Sequence, residues 1–216
     1  TERFPLKEAF PDQNVINRGI GGDMVAGVID RLDVSIEVLD PERVYLMIGV
    51  NDFLWTDISV DELAGQYDEL LSRIKDAAPQ AELIAFTTLP VGESYASHNE
   101  TLREWNERVE EIGADHGIDV IDLSPIMTDE AGNLIPQYTV DGIHLTLAGY
   151  MAWMEVFLAP REHFEAAKNL APEWNETYPD SFAITKTNPT GENEYPGGRG
   201  VDELIIYTPD YPQETT

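Results

Sequence analysis

Apolar runs and helical periods alternate along the first 158 residues of the chain. Asn14-Val15-Ile16-Asn17 predicts a short strand, followed by a glycine-rich turn and a helical stretch over about residues 24–32. Arg43-Val44-Tyr45-Leu46-Met47-Ile48-Gly49 is nearly continuous in apolar character, the pattern of a strand covered on both faces. Ser59 and Glu62 have the spacing of a capping box for a helix running to about Ala78. Leu63, Tyr67, Leu70, Leu71 and Ile74 form its apolar stripe, and Pro79 closes it. A strand over 83–88, a helix over 99–116, a strand over 118–122 and a last helix over 146–158 continue the series. This rhythm predicts an α/β fold with a parallel sheet and helices on both faces. Ligands of such sheets sit beyond the carboxyl ends of the strands.

Beyond about residue 170 the pattern breaks. Six of the 14 prolines fall between Pro172 and Pro212, around Pro196-Gly197-Gly198-Arg199-Gly200, so residues 1–168 form the expected domain and 169–216 an irregular acidic extension. One apolar run interrupts it, Glu203-Leu204-Ile205-Ile206-Tyr207, with the look of a lone strand.

Charge narrows the function classes. The 41 acidic residues against 13 basic ones give a net charge of −28, and only four of the basic residues are lysines. Such a surface repels nucleic-acid phosphates and anionic membranes, and its spread along the whole chain points to adaptation to high salt. With no cysteine, disulfides, thiolate metal sites and cysteine nucleophiles are excluded. His98, His116 and His163 lack metal-ligand spacing, so neither metal nor cofactor is expected. No apolar run is long enough for a membrane span, and Thr1-Glu2-Arg3-Phe4-Pro5 lacks a leader pattern, so the expectation is a soluble, cytoplasmic chain.

Three short pieces fall at or just past predicted strand ends, or just before the last helix. Asn17-Arg18-Gly19-Ile20-Gly21-Gly22-Asp23 lets backbone approach a ligand and aim N–H groups at it, although a tight turn has the same look. Gly49-Val50-Asn51-Asp52 follows the most apolar strand; a side-chain amide there can donate to a developing oxyanion, although Asn-Asp is also ordinary turn chemistry. In Asp141-Gly142-Ile143-His144 a carboxylate stands three positions before a histidine, where it can hold the tautomer of a general base, or simply cap a helix. Trp55 follows Asn51 closely enough to wall a cleft, Trp105, Trp153 and Trp174 read as core or docking aromatics, and Leu134 and Tyr138 lie on a stretch expected to shape an acyl pocket.

Taken together, these pieces resemble the SGNH (GDSL-type) hydrolases, nearest to their acetylhydrolase-like esterases, over about residues 1–158. The resemblance implies a three-layer α/β/α, flavodoxin-like fold and hydrolysis of acyl esters by Ser-His-Asp chemistry. It implies His144 as general base, Asp141 as its orienting partner, and Gly22 N–H and the Asn51 amide as oxyanion donors. The implied substrate is a small-molecule or carbohydrate-linked acyl ester.

One block of that pattern is missing. No Gly-Asp-Ser occurs in the 216 residues, and Thr1-Glu2-Arg3-Phe4-Pro5-Leu6 reads like the continuation immediately after it. The expectation is a chain without its catalytic serine and with impaired activity. Ser35, Ser59, Ser72, Ser94, Ser97, Ser124 and Ser181 lack the strand-to-turn setting of a nucleophile, and Thr1, which its own amino group can activate, is a further candidate. Met24-Val25 replaces the hydroxyl residues usual in the acetylhydrolase-like branch. A non-catalytic binding module for acylated or carbohydrate ligands, and a serine supplied by another polypeptide, stand as alternatives. Residues 204–207 are a candidate to fill the slot of the missing first strand, the alternative being that they pack on the outer surface.

Overall fold

The structure, a computed structural model, describes Phe4, residues 14–158 and the backbone of residues 203–207. Five strands form one sheet: β1 (Val15–Asn17), β2 (Arg43–Met47), β3 (Glu82–Phe86), β4 (Asp119–Ile121) and β5 (Glu203–Tyr207), in the order β1-β5-β2-β3-β4. The pairs β2/β3 and β3/β4 are parallel, with Arg43 opposite Glu82 and Ile84 opposite Asp119. Strand β5 runs antiparallel to both neighbours, placing Ile206 opposite Ile16 on one side and Val44 on the other. Residues 203–207 thus fill an interior slot of the sheet, and the parallel sheet expected from the sequence is present, with β5 running against the other four described strands. The expected division at residue 168 lies outside the described residues, but the sheet itself takes in a piece of the C-terminal extension.

Alternation along β2 explains the layers. Val44 and Leu46 are buried on one face and Tyr45 and Met47 pack on the other, as the two-residue period of a strand requires. Helices α1 (Val25–Asp30), α2 (Leu32–Ser35), α3 (Val50–Trp55), α4 (Val60–Ala77) and α5 (Asn99–His116) contribute to the first face. The Ser59 hydroxyl accepts from Glu62 N–H while the Glu62 carboxylate accepts from Ser59 N–H, so the capping box that starts α4 is formed at both ends. Leu63, Tyr67, Leu70, Leu71 and Ile74 of α4 are buried against α5, whose Trp105 lies edge-on to Tyr67 at 5.3 Å between ring centres.

Short helix α6 (Ser124–Met127) and helix α7 (Leu147–Leu158) cover the second face, with Trp153 edge-on to Phe86 at 5.5 Å and Phe4 packed on Trp153 at the same distance. Burying Trp105 and Trp153 in separate clusters anchors each layer with a large apolar side chain. Trp174, the fourth tryptophan, lies outside the described residues. Among the described residues no helix is long and apolar enough to cross a membrane.

An interior strand donates to neighbours on both sides, so a residue without an N–H interrupts the ladder wherever it is placed in β5. Ile206→Pro is expected to destabilise the chain by about 3 kcal/mol, read as a lower urea midpoint; an unchanged midpoint would show that β5 contributes nothing to the sheet.

Candidate active site

The rim at the carboxyl ends of β1, β2 and β3 is assembled from residues far apart in sequence. After β1, Gly19 N–H donates to Asn17 Oδ1 at 2.9 Å and Asp23 N–H to the Ile20 carbonyl at 3.2 Å, folding the glycine-rich segment into compact turns. Gly22 has φ +84°, a conformation that favours glycine. Arg31 pins this loop from the break between α1 and α2: its Nε donates to Asp23 Oδ2 at 2.9 Å, a second guanidinium nitrogen pairs with the same oxygen, and Nη1 reaches the Arg18 carbonyl and the Ser35 hydroxyl.

After β2 the chain turns through Gly49 into α3, which carries Asn51 in its first turn. Gly49 has φ +122°, and a Cβ there would meet Trp105 Nε1 at 2.6 Å, so both backbone and packing demand glycine. Asn51 is fully buried; its Nδ2 donates to the Asp23 carbonyl at 2.8 Å, and its Oδ1 accepts from Trp55 Nε1 at 3.2 Å. These two bonds fix which way the amide faces and bring it against the loop of Gly22.

Beside Asn51, Asp52 is 3% exposed and accepts from Val25 N–H at 3.4 Å through both oxygens. Burial pushes its carboxyl up to about 7; the N–H groups of Val25 and of Asp52 itself pull the other way, and the Asp23 charge adds to the rise.

After β3, two side-chain amides shape the third segment. Asn106 of α5 accepts from the Thr88 N–H and hydroxyl and donates to its carbonyl, while Asn99 pairs with both the N–H and carbonyl of Val91. The chain thereby reaches Gly92, whose N–H donates to the Gly142 carbonyl at 2.7 Å. Gly142, at φ +88°, allows the approach: a Cβ there would lie 2.5 Å from the Gly92 carbonyl oxygen.

That contact docks the Asp141–His144 loop on the rim. His144 Nδ1 lies 2.6 Å from Asp141 Oδ2, and His144 N–H donates to Asp141 Oδ1 at 2.8 Å. Partial burial pushes the Asp141 carboxyl up, but the backbone and ring donors of His144, its charge and the Ile143 N–H outweigh this and hold it below the usual carboxylate range. Both Val50, next to Asn51, and Ile143, next to His144, line one shallow apolar hollow with Leu89, Pro90 and Val91.

A chain of contacts therefore links Gly22-Asp23 to Asn51, Asn51 to Trp55, Trp55 to Tyr95 of the turn after Gly92, and that turn to Asp141 and His144. Asp52, Asn99, Asn106, Arg31 and Tyr95 were not singled out from sequence. For the two asparagines the available signal was an amide on the buried side of a helix, where an unpaired polar group is costly. Leu134 and Tyr138, expected around an acyl pocket, are instead buried in the second-face core. Ser35 and Ser59 serve Arg31 and the α4 cap, and Ser124 opens α6. Among the described residues no cluster has the composition of a metal site.

Four of the five described strands run in one direction, and an Asp-His pair stands at the carboxyl-end rim of their sheet. Residues 4–152 match the GDSL-like Lipase/Acylhydrolase family, and the chain belongs to that family. It is similar to platelet-activating factor acetylhydrolase IB subunit alpha1 of Pongo abelii, at 28% identity over 150 residues, 67% of this chain and 62% of the relative. The chain thus spans less than two thirds of the length of that curated relative. Its fold is similar to a solved structure from Streptococcus pneumonia, with TM-score 0.65 and 27% identity, covering 74% of this chain and 78% of the other. It is also similar to a GDSL-like lipase from Bacteroides thetaiotaomicron, with TM-score 0.60 and 23% identity over 70% of this chain and 76% of that one.

Two variants test the geometry. Gly49→Ala is expected to cost about 2–4 kcal/mol through left-handed strain and the clash with Trp105, seen as a lowered urea midpoint; a native midpoint would contradict it. Asp52 binds a proton more readily in the folded chain than in the unfolded one, so its contribution to stability falls as pH rises from about 4 to about 7. Asp52→Asn abolishes that titration. Its Tm relative to the native chain should therefore rise between pH 4 and pH 8, whereas an offset independent of pH would show that Asp52 does not titrate in this window.

Proposed function

We propose that this chain carries the acid-base and oxyanion parts of a short-chain ester hydrolase. The observation that supports it most is the 2.6 Å contact between His144 Nδ1 and Asp141 Oδ2, on a loop docked against the rim that holds Asn51. In this reading Asp141 stays ionised at neutral pH and holds the Nδ1–H tautomer, leaving His144 Nε2 as the base.

The nucleophile is a serine in a Gly-Asp-Ser block, which the 216 residues do not contain. As its Oγ attacks the ester carbonyl, Nε2 takes the hydroxyl proton, and the oxyanion accepts from Gly22 N–H and Asn51 Nδ2. Collapse expels the alcohol, which takes the proton back from the imidazolium, and water repeats the cycle on the acyl-enzyme. A short acyl group is supported by the acetylhydrolase from Pongo abelii to which the chain is similar.

The test is hydrolysis of nitrophenyl acetate at high salt by the chain itself and by a version carrying a strand that ends in Gly-Asp-Ser-Ile ahead of Thr1. Turnover is expected only in the extended version. There, His144→Ala should lower kcat by at least about 10⁴-fold and Asn51→Ala by about 10²–10³-fold. Turnover by the chain itself, lost in Thr1→Ala, would overturn the serine assignment. Absence of turnover in both, with ester still bound, would replace hydrolysis by the binding-module reading.

A further inference from the structure

Trp55 is 42% exposed, a large aromatic face left open to solvent beside Asn51. Its indole N–H points at Asn51 Oδ1 at 3.2 Å, so the ring lies one hydrogen bond away from the amide that faces the reacting carbonyl in the function proposed above. Tyr95 meets it nearly at right angles, with ring centres 6.1 Å apart and planes at 77°, forming an aromatic corner.

Two exposed carboxylates lie close in sequence to this corner. Asp57 lies two residues beyond Trp55 and is exposed, as is Glu93, two residues before Tyr95. Glu93 has φ +52°, and its Cβ would lie 3.2 Å from a Cβ placed on Gly142, which sets it against the Asp141–His144 loop. With a chain charge of −28, the field at this corner attracts cations. An open indole face in a negative field is the arrangement that binds an alkylammonium group through its ring quadrupole. The bond from Trp55 Nε1 to Asn51 Oδ1 sets the ring beside the position proposed for the ester carbonyl.

We propose that the Trp55–Tyr95 corner binds the cationic end of the alcohol moiety, so that the preferred substrate is a short-chain ester of a small quaternary-ammonium alcohol. This rests on the ester-hydrolase reading for the role of Asn51, but the site is testable without turnover.

The experiment titrates the chain, as it is, with choline and with its neutral isostere 3,3-dimethylbutan-1-ol at low and high salt, following the Trp55 indole N–H signal by NMR. That signal is assigned by its disappearance in Trp55→Phe. Choline is expected to bind at least about fivefold tighter than the isostere, and more weakly at high salt. Read by titration calorimetry, which needs no indole signal, Trp55→Ala should remove the difference and Trp55→Phe should keep part of it, which separates loss of the ring from loss of folding. Equal affinity for the two ligands, choline binding unchanged in Trp55→Ala, or a larger indole response to a neutral disaccharide than to choline would overturn the proposal. Choline binding without turnover in the extended version would leave the cation site standing and remove the hydrolase reading.

Discussion

The hydrogen bond from Asn51 Nδ2 to the Asp23 carbonyl joins the segment after β2 to the segment after β1, across the position of β5 in the strand order. Phe53 of α3 packs edge-on to Trp105 of α5, with ring centres 5.7 Å apart, which holds the helix from behind but does not reach the glycine-rich loop. The glycine-rich loop has only short turns of its own, and α3 is a six-residue helix with no side-chain N-cap. Their mutual position therefore depends on this bond and on the supports behind it: Arg31 on Asp23, Asp52 on Val25 N–H and Trp55 on the Asn51 carbonyl oxygen. Such supporting contacts lock side-chain geometry at a site.

Carboxylates near the rim are held in opposite conditions. Asp52 is buried, with the N–H groups of Val25 and of Asp52 itself too weak to offset the burial, and is pushed towards neutrality, whereas Asp141 collects the donors of His144 and Ile143 and is held ionised. Asp23 is paired with Arg31. In a chain with 41 acidic residues, composition alone says nothing about which of them are unusual. Environment separates them, and separated carboxyl groups mark the places where proton-linked behaviour is to be sought.

The fold was legible where a side-chain period and a terminator coincide. The capping box at Ser59 and the helix at Asn99–His116 agree closely with the structure because both helices bury one stripe on a sheet, and Gly117 in a left-handed conformation ends the second. The helical stretch expected over 24–32 divides instead into α1 and α2, with Arg31 at the break, where its side chain turns to Asp23. Helix α3 left no trace in the pattern, since six residues are too few to display a period. At the site, Asn51, Asp141 and His144 were legible because glycine and strand ends flank them. Asn99 and Asn106 were not, since their partners are backbone groups whose position only the tertiary fold determines. The antiparallel direction of β5 was likewise invisible, because a run of five residues carries no sign of its orientation.

Strand β5 has a consequence for the order of events in folding. Its pairing joins Ile206 to Ile16 and Val44, contacts that span most of the 216-residue chain. Closing such distant pairs is slow compared with forming the local helix-strand units around them. During synthesis from the N-terminus, β1 and β2 emerge long before the strand that separates them. Until residue 207 is made, their facing edges are open to pairing with each other or with another chain. The sheet is thus completed by a strand made long after both of its neighbours, and its assembly is a late step that vectorial synthesis cannot bring forward.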